Sequence, residues 1–428
     1  MSASLLLIVL VAVAYAAAHI AFQWLGRRWL IVSGAEYLLL GILLGPSVSG
    51  LVSAETLRSF LPFMTLALGW MGAMVGMRLY LPGMVRLRGV FYRVAFAQSM
   101  ITLVGVTAAS LLMFRGLFGV TADYALVPSL VLGAIATCSA QDAVQFIIAR
   151  LGRSSVVVRQ MEVAVGMDSV IGILTVGIVL CFNHVAAPTL PRSPTPVEWM
   201  VISAVLGVIG GMLFHLFLGE ERDPDRLFIS LGGAIVFMTG AATFLQLSPI
   251  LPGMLMGVIL VNTSRNRREI EDALHRVERP LYFVLLLCGG ALWTPGRSAW
   301  LIPVVGFLVA RWFFKVAGAR IAARFNGMLP VLGANWGRAL LGQGGIALAI
   351  GFNYLSENNA YFPNIVFTAV VASVLLTDAF SARLMRHAVD ASPWKRFSGE
   401  SEVVALSEAS AAPEPAAGEP ETDTVGRA

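Results

Sequence analysis

An aspartate, Asp168, lies near the middle of a long apolar stretch that covers residues 157–182. The stretch is long enough to cross a lipid bilayer, because about 20 helical residues at roughly 1.5 Å each span the hydrocarbon. A carboxylate at that depth costs roughly 2.5–3.5 kcal/mol on insertion scales, so Asp168 is a candidate functional residue. The alternative is a polar residue that faces another helix and is satisfied by one hydrogen bond.

A carboxylate inside a membrane can carry either a proton or a cation. Burial favours its protonated form and a nearby positive charge favours its ionised form, so the balance can place its titration near the working pH. An ionised Asp168 can bind a hard monovalent cation together with hydroxyl and carbonyl oxygens, whereas a protonated one cannot. Oxygen ligands of this kind are clustered in another apolar stretch, around Thr137, Ser139 and Gln141. Competition for one carboxylate therefore predicts exchange of one proton for one cation.

Two basic residues also lie in an apolar stretch. Arg311 and Lys315 are one helical turn apart within residues 300–323. A buried cation and a buried carboxylate on different helices are each costly alone and tolerable as a pair. We therefore predict that Arg311 pairs with Asp168; alternatively, Arg311 neutralises only the carbonyl end of an interrupted helix. Lys315 lies nearer the inner end of its stretch, from which its ammonium could reach the membrane surface.

The composition places these residues in a polytopic α-helical membrane protein. The 428 residues are 57% hydrophobic and 13% charged, whereas a soluble domain is about 45–50% apolar and about 25% charged. The three cysteines fall in apolar stretches and predict packing residues rather than a disulfide or metal framework. The sequence contains no apparent nucleophile–base pair and no metal-ligand cluster. We therefore predict neither an enzyme nor a resident cofactor. The basic charge balance is typical of cytoplasmic loops, and we do not infer nucleic-acid binding from it.

Hydropathy predicts about thirteen membrane spans. They centre near residues 4–23, 30–46, 60–78, 90–113, 127–149, 157–182, 198–218, 226–246, 249–262, 279–293, 300–323, 333–354 and 363–385. Arginines concentrate in alternate loops, which places those loops in the cytoplasm, the N-terminus outside and the C-terminus inside. The tail, residues 397–428, is rich in Ala, Glu, Pro and Ser and is predicted to be a disordered cytoplasmic segment.

A weak internal repeat relates the two halves of the chain. The sequence EYLLLGILLGPSVSG at 36–50 is similar to GMLMGVILVNTSRN at 253–266. Within a transmembrane domain of residues 1–390, the copies would cover about 4–182 and about 226–386, with a linker helix at about 198–218. Equivalent spans are seven apart, so the copies have inverted topology, as in many secondary transporters. Chance similarity between apolar runs is the alternative.

Two equivalent spans are predicted to be discontinuous helices. The polar cluster in the fifth span consists of Thr137, Ser139, Gln141 and Asp142. The glycine-rich cluster in the twelfth span consists of Gly342, Gln343, Gly344 and Gly345. Glycine costs about 1 kcal/mol per residue in a helix relative to Ala, and unwound backbone at membrane depth is tolerated where it lines a cavity or is buried in protein. Crossing helix ends would carry partial charges, and Asp142 would offset a positive one. Close helix packing is the alternative explanation of the glycines.

The motifs EYLLLGILLGP, LGAIATCSAQDAV, LVARWFFKVAG and LLGQGGIALAI, in this order, resemble those of the cation:proton antiporter superfamily, the sodium/proton exchanger fold. The resemblance covers roughly residues 5–390. It implies two crossing discontinuous helices, a six-span core domain that moves as an elevator against a dimerisation domain, and a homodimer in a bacterial inner membrane. By the same resemblance, Asp168 matches the ion-binding aspartate and Asp142 the aspartate of the first broken helix. Arg311 matches the basic residue, with Lys315 a shifted alternative.

One position departs from the family pattern. Met167 stands where the family has an asparagine or a second aspartate before the ion-binding residue. The sequence therefore predicts a monovalent cation/proton antiporter, for Na⁺ or K⁺, without fixing the ion or its stoichiometry. A proton-uncoupled cation channel or a non-transporting membrane sensor on the same scaffold is the alternative. An organic-anion symporter is a third interpretation, which would need more polar or basic residues around the cavity.

Overall fold

The computed structural model of the protein describes residues 35–82, 89–151, 156–184, 194–218, 223–264, 267–294, 300–357 and 359–391. These residues form helices and connecting segments, and no strand occurs among them. The first predicted span, residues 4–23, and the predicted tail, residues 397–428, lie outside the described residues. The other twelve predicted spans each have a helical counterpart, which confirms the all-α polytopic class.

The helices of the described ranges follow one another along the chain. They are α1 (Ala35–Leu44), α2 (Ala54–Ser59), α3 (Leu61–Met77), α4 (Gly89–Phe118), α5 (Ala122–Thr137), α6 (Gln141–Leu151), α7 (Val156–Phe182), α8 (Pro196–Leu218), α9 (Pro224–Phe244), α10 (Ile250–Thr263), α11 (Arg267–Leu292), α12 (Leu301–Phe325), α13 (Leu329–Leu332), the 3₁₀ helix Trp336–Leu341, α14 (Gly345–Leu355) and α15 (Pro363–Asp390). Within the part of the chain that the structure describes, six helical segments are long and apolar enough to cross a membrane, and four shorter apolar helices accompany them.

Glycines let two helix pairs approach until their backbones touch. A Cβ atom at Gly76 of α3 would lie 2.0 Å from the carbonyl oxygen of Met254 of α10. A Cβ atom at Gly41 of α1 would likewise lie 2.0 Å from the carbonyl oxygen of Leu287 of α11. Small residues at such contacts are the usual device for close helix packing in membranes. Under the predicted repeat, α1 corresponds to α10 and α3 corresponds to α11. The α3–α10 contact is then equivalent to the α11–α1 contact, which supports the repeat.

A third pair, α4 and α12, brings together one helix from each half of the chain. Gly318 of α12 packs against Ile101 of α4, and Gly105 of α4 faces the ring of Phe314. The helices α5 and α7 pack on α4, while the 3₁₀ helix packs on α12 and α15. The two interrupted spans are thereby held between long, continuous helices, where side chains from α4, α7 and α12 can meet.

Candidate ion-binding site

Two helices are interrupted at the same place in the molecule. Helix α5 ends at Thr137 and α6 begins at Gln141, while the 3₁₀ helix ends at Leu341 and α14 begins at Gly345. The three residues between each pair of helices are non-helical and cross one another. The backbone N–H of Ala140 donates to the carbonyl oxygen of Gly342 at 2.8 Å. The predicted pair of crossing discontinuous helices is therefore confirmed.

The glycine-rich cluster serves both the interruption and close packing. A Cβ atom at Gly342 would lie 2.4 Å from the Cβ atom of Ser381, and one at Gly344 would lie 3.2 Å from the Cα atom of Ala140. A Cβ atom at Gly345 would enter the ring of Tyr282. The two explanations considered for these glycines thus describe one feature, since the same glycines lie where the helix is interrupted and where it packs closely on its neighbours.

Gln343, the remaining member of that cluster, is completely buried. Its side-chain Nε2 donates to the carbonyl oxygen of Ile135 in the last turn of α5 at 2.8 Å. It therefore ties the second crossing segment to the end of the first broken helix. A carbonyl can only accept, so this amide is fixed in its orientation.

The carboxylate of Asp168 lies beside this crossing and is completely buried. Its Oδ1 accepts hydrogen bonds from Gln98 Nε2 at 2.6 Å and from Ser99 Oγ at 2.5 Å. Its Oδ2 accepts from Ser139 Oγ at 2.7 Å and from Lys315 Nζ at 2.7 Å. Helices α4, α7 and α12 and the first crossing segment each contribute at least one of these groups. Four donors therefore surround this completely buried carboxylate.

The structure pairs Asp168 with Lys315, one of the two basic residues named by the sequence, and the pairing of Asp168 with Arg311 stays a prediction. Both partners of the Lys315–Asp168 ion pair have fully buried side chains. The Lys315 ammonium also donates to the carbonyl oxygen of Thr137, at the end of α5. Its ammonium is thus held inside the protein, although the position of Lys315 in the sequence would also have let it reach the membrane surface. The two basic residues differ by one turn of α12, about 6 Å of rise.

Arg311 binds the ends of both interrupted helices. Its guanidinium donates to the carbonyl oxygen of Leu341 at 2.7 Å and to that of Cys138 at 3.2 Å. Helix ends of this kind leave carbonyls without intrahelical partners and carry partial negative charge. This is the alternative that the sequence left open for Arg311, and it makes the residue a clamp on the crossing.

The other predicted site residues lie around the carboxylate at different distances from it. The hydroxyl of Thr137 lies 2.7 Å from the carbonyl oxygen of Ala134 and 3.1 Å from the backbone carbonyl oxygen of Asp168, and it can donate to either. The backbone carbonyl of Thr137 accepts from Lys315. Gln141 donates to the hydroxyl of Ser169, the neighbour of Asp168, at 2.7 Å. Asp142 is exposed in the first turn of α6, where a negative charge complements the helix end.

Gln98 and Ser99 of α4 were not predicted, although they supply half of the hydrogen bonds to Asp168. The signal was present in the sequence, because two adjacent polar residues interrupt an apolar span there. Their partner is about 70 residues away along the chain, so only the packing of α4 on α7 shows what they bind.

A cavity of about 610 Å³ reaches the crossing. Its wall includes Ser139, Gln141 and Asp142 from the first broken helix and Gly344 from the second. Ser139 both lines this cavity and donates to Asp168, so its hydroxyl separates the open volume from the carboxylate. A cation entering the cavity would therefore meet Ser139 before it met Asp168.

A second cavity of about 410 Å³ adjoins the first. The two share Met74 and Gln145 in their walls. The second is lined by Met167 and Glu162, so the residue that departs from the family pattern faces open volume next to the site. Met167 adds no oxygen there, and the charge balance of the site is carried by Asp168 and Lys315.

Replacing Arg311 with methionine is expected to destabilise the protein by several kcal/mol. The change leaves the carbonyls of Leu341 and Cys138 buried without their donor, at roughly 1–3 kcal/mol each. The melting temperature of the detergent-solubilised protein measures the effect. Arg320→Met, which removes an exposed charge from the same helix, is the control and should change little. Equal melting temperatures for both variants would contradict the clamp.

Comparisons with known proteins identify the fold. No protein-family model and no curated protein matches the chain. The chain is similar to the structure of the sodium proton antiporter MjNhaP1 from Methanocaldococcus jannaschii at pH 8, with a TM-score of 0.64 and 13% sequence identity, over 89% of this chain and 98% of that one. It is also similar to a second MjNhaP1 structure, from an electron-microscopy map, with a TM-score of 0.62 and 13% identity over 93% and 99% of the two chains. The resemblance that the sequence suggested is thus confirmed for the fold.

Proposed function

We propose that the protein is a secondary active antiporter that exchanges a monovalent cation for protons across a membrane. The observation that carries this proposal is the fully buried Asp168–Lys315 ion pair at the crossing of two interrupted helices, next to a cavity. Ionisable residues inside a membrane domain are costly and commonly mark ion or proton pathways. The shared fold with a sodium proton antiporter supports the same conclusion.

The charges of the site explain how cation and proton would be coupled. A cation that binds Asp168 competes with the Lys315 ammonium for the same carboxylate oxygen. Lys315 would then be a buried cation without its counter-charge, which is strongly unfavourable. Releasing its proton removes that cost, and the neutral amine remains beside the carbonyl of Thr137, its other acceptor. Cation binding therefore expels a proton, and protonation expels the cation.

Coupling also requires that the site opens to one side at a time. The 610 Å³ cavity is walled by Gln145 and Ala149 of α6 and by Glu278 of α11. These residues lie next to the arginine-rich segments 150–159 and 265–279, which the sequence assigns to the cytoplasm. We assign the cavity to the cytoplasmic side, with the N-terminus outside and the C-terminus inside. The complete burial of Asp168 favours alternating access over an open channel.

The finer features follow the family resemblance and remain part of the proposal. They are a six-span core that moves as an elevator, a homodimer surrounded by membrane lipid, and a bacterial inner membrane as the location. Sodium is the first ion to test, because the similar structures belong to a sodium proton antiporter. Potassium is the second, since one carboxylate and neutral oxygens can bind either ion.

The test is proton movement in proteoliposomes that contain the purified full-length protein and a pH-sensitive dye. Sodium or potassium added on one side is expected to drive protons the opposite way, and protein-free liposomes give the background. Repeating the assay with the membrane potential clamped shows whether charge moves with each cycle. Cation flux without proton movement would favour the channel, and no response to either cation in folded protein would favour the sensor.

A further inference from the structure

Within the described part of the chain, the hydrogen bonds of the buried Gln98 side chain involve only its amide nitrogen. The residue is completely inaccessible to solvent, and its Nε2 donates to Asp168 Oδ1 at 2.6 Å and to Ser99 Oγ at 2.9 Å. Its Oε1 has no hydrogen-bond partner among the described residues. A buried acceptor without a partner is destabilising, and such groups in native structures call for an explanation.

The orientation of the Gln98 amide is dictated by the empty carboxylate. Turning the amide over would point Oε1 at Asp168 Oδ1 and set two acceptors against each other. Once a cation occupies the site, the preferred orientation of the amide reverses, because the cation repels the amide hydrogens and attracts the amide oxygen. Glutamine carbonyl oxygens are established ligands of hard cations. The unpartnered oxygen is therefore available to a cation once the amide turns over.

The two hydroxyls that donate to Asp168 can likewise change from presenting a hydrogen to presenting an oxygen. Ser99 Oγ lies 2.9 Å from the carbonyl oxygen of Ala95, to which it can give its single hydrogen instead. Ser139 Oγ lies 3.0 Å from the carbonyl oxygen of Leu340 and has the same choice. Each hydroxyl can thus stop donating to Asp168 and turn its lone pairs toward a cation. Gln98, Ser99 and Ser139, the three uncharged donors around the carboxylate, can therefore each present an oxygen to a cation.

We propose that Gln98 is a direct ligand of the transported cation and a determinant of which cation is preferred. In the loaded site, oxygens of Asp168, Gln98, Ser99 and Ser139 surround the ion, and the amide of Gln98 is turned over relative to the empty site. This inference rests on the proposed antiport. It adds an oxygen that comes from α4, outside the two broken helices and outside the helix that carries Asp168.

The experiment compares Gln98→Met with Gln160→Met in full-length protein in proteoliposomes. Gln160 is a matched control, since it is also completely buried with an unpartnered Oε1, but its Nε2 donates to the carbonyl of Phe91 and not to Asp168. Losing one ligand from Gln98 is expected to raise the KM for sodium about tenfold or more. The order of the KM values for lithium, sodium and potassium should change as well. Gln160→Met should keep the wild-type KM values and their order.

A change in the order of cation preference separates a ligand from a residue that only supports the fold. Gln98→Glu provides a second variant if Gln98→Met does not fold, because it keeps an oxygen and adds negative charge. Its KM for sodium is expected to fall severalfold at alkaline pH. Wild-type exchange with unchanged KM values and order in Gln98→Met, or in Gln98→Glu if that variant alone folds, would overturn this inference and leave the antiport intact. Absence of exchange in the wild type would overturn both.

Discussion

Replacing Asp168 with asparagine is expected to reduce cation-driven proton movement to the level of protein-free liposomes. Asparagine keeps the size of the side chain but cannot ionise, so it neither attracts a cation nor holds Lys315 in its charged form. The carboxylate is the acceptor of four donors, one of which is its counter-charge. Proton flux in response to sodium or potassium, measured with the pH-sensitive dye, gives the result directly. Retained exchange in this variant would exclude the proposed mechanism.

A loss of transport must be separated from a loss of folding. Asp168→Asn leaves Lys315 buried without its partner, and removing one member of a buried pair costs about 3–5 kcal/mol. Asp168→Asn combined with Lys315→Met removes both charges, and replacing a whole buried pair with neutral residues is often nearly neutral or stabilising. The double variant should therefore melt close to the wild-type temperature and still be inactive. A double variant that regains exchange would contradict the role of the carboxylate.

Much of the architecture could be predicted because the membrane restricts what a sequence can do. A span must bury or pair every backbone polar group, so an apolar run of sufficient length is a helix. The same restriction made the interruptions visible, since residues 137–142 and 342–345 put polar and glycine residues where a plain span would have none. Both segments are interrupted in the structure, at residues 138–140 and 342–344.

Which side chains contact each other inside the site could not be predicted from the sequence. These contacts depend on how each helix is rotated about its axis and how far it is shifted along that axis, and residue type does not determine either. Arg311 and Lys315 are one turn apart on α12, and either could have faced Asp168. The packing of α12 on α4 and on the 3₁₀ helix puts Lys315 level with the carboxylate and Arg311 level with the crossing. The roles of Gln98 and Ser99 were hidden for the same reason, since nothing in the sequence shows which face of α4 meets α7.

Replacing Lys315 with methionine is expected to move the pH dependence of exchange to more alkaline values by about one pH unit or more, since one unit corresponds to roughly 1.4 kcal/mol of interaction. The reason is the loss of the counter-charge at 2.7 Å from Asp168. Without it, a proton has to neutralise the buried carboxylate whenever no cation is bound, and the cation has to displace that proton. Exchange rates measured across a pH series, at several sodium concentrations, give the shift.

Lys315→Arg tests whether the lysine itself releases a proton. Arginine keeps the positive charge beside Asp168 but stays protonated at any pH a protein experiences. The cation then has to displace a permanent charge, so exchange should be strongly reduced without the alkaline shift expected for methionine. Arg324→Met, an exposed change on the same helix, should leave the pH profile as it is. Wild-type profiles in both Lys315 variants would remove Lys315 from the mechanism and leave Asp168 to exchange cation and proton alone.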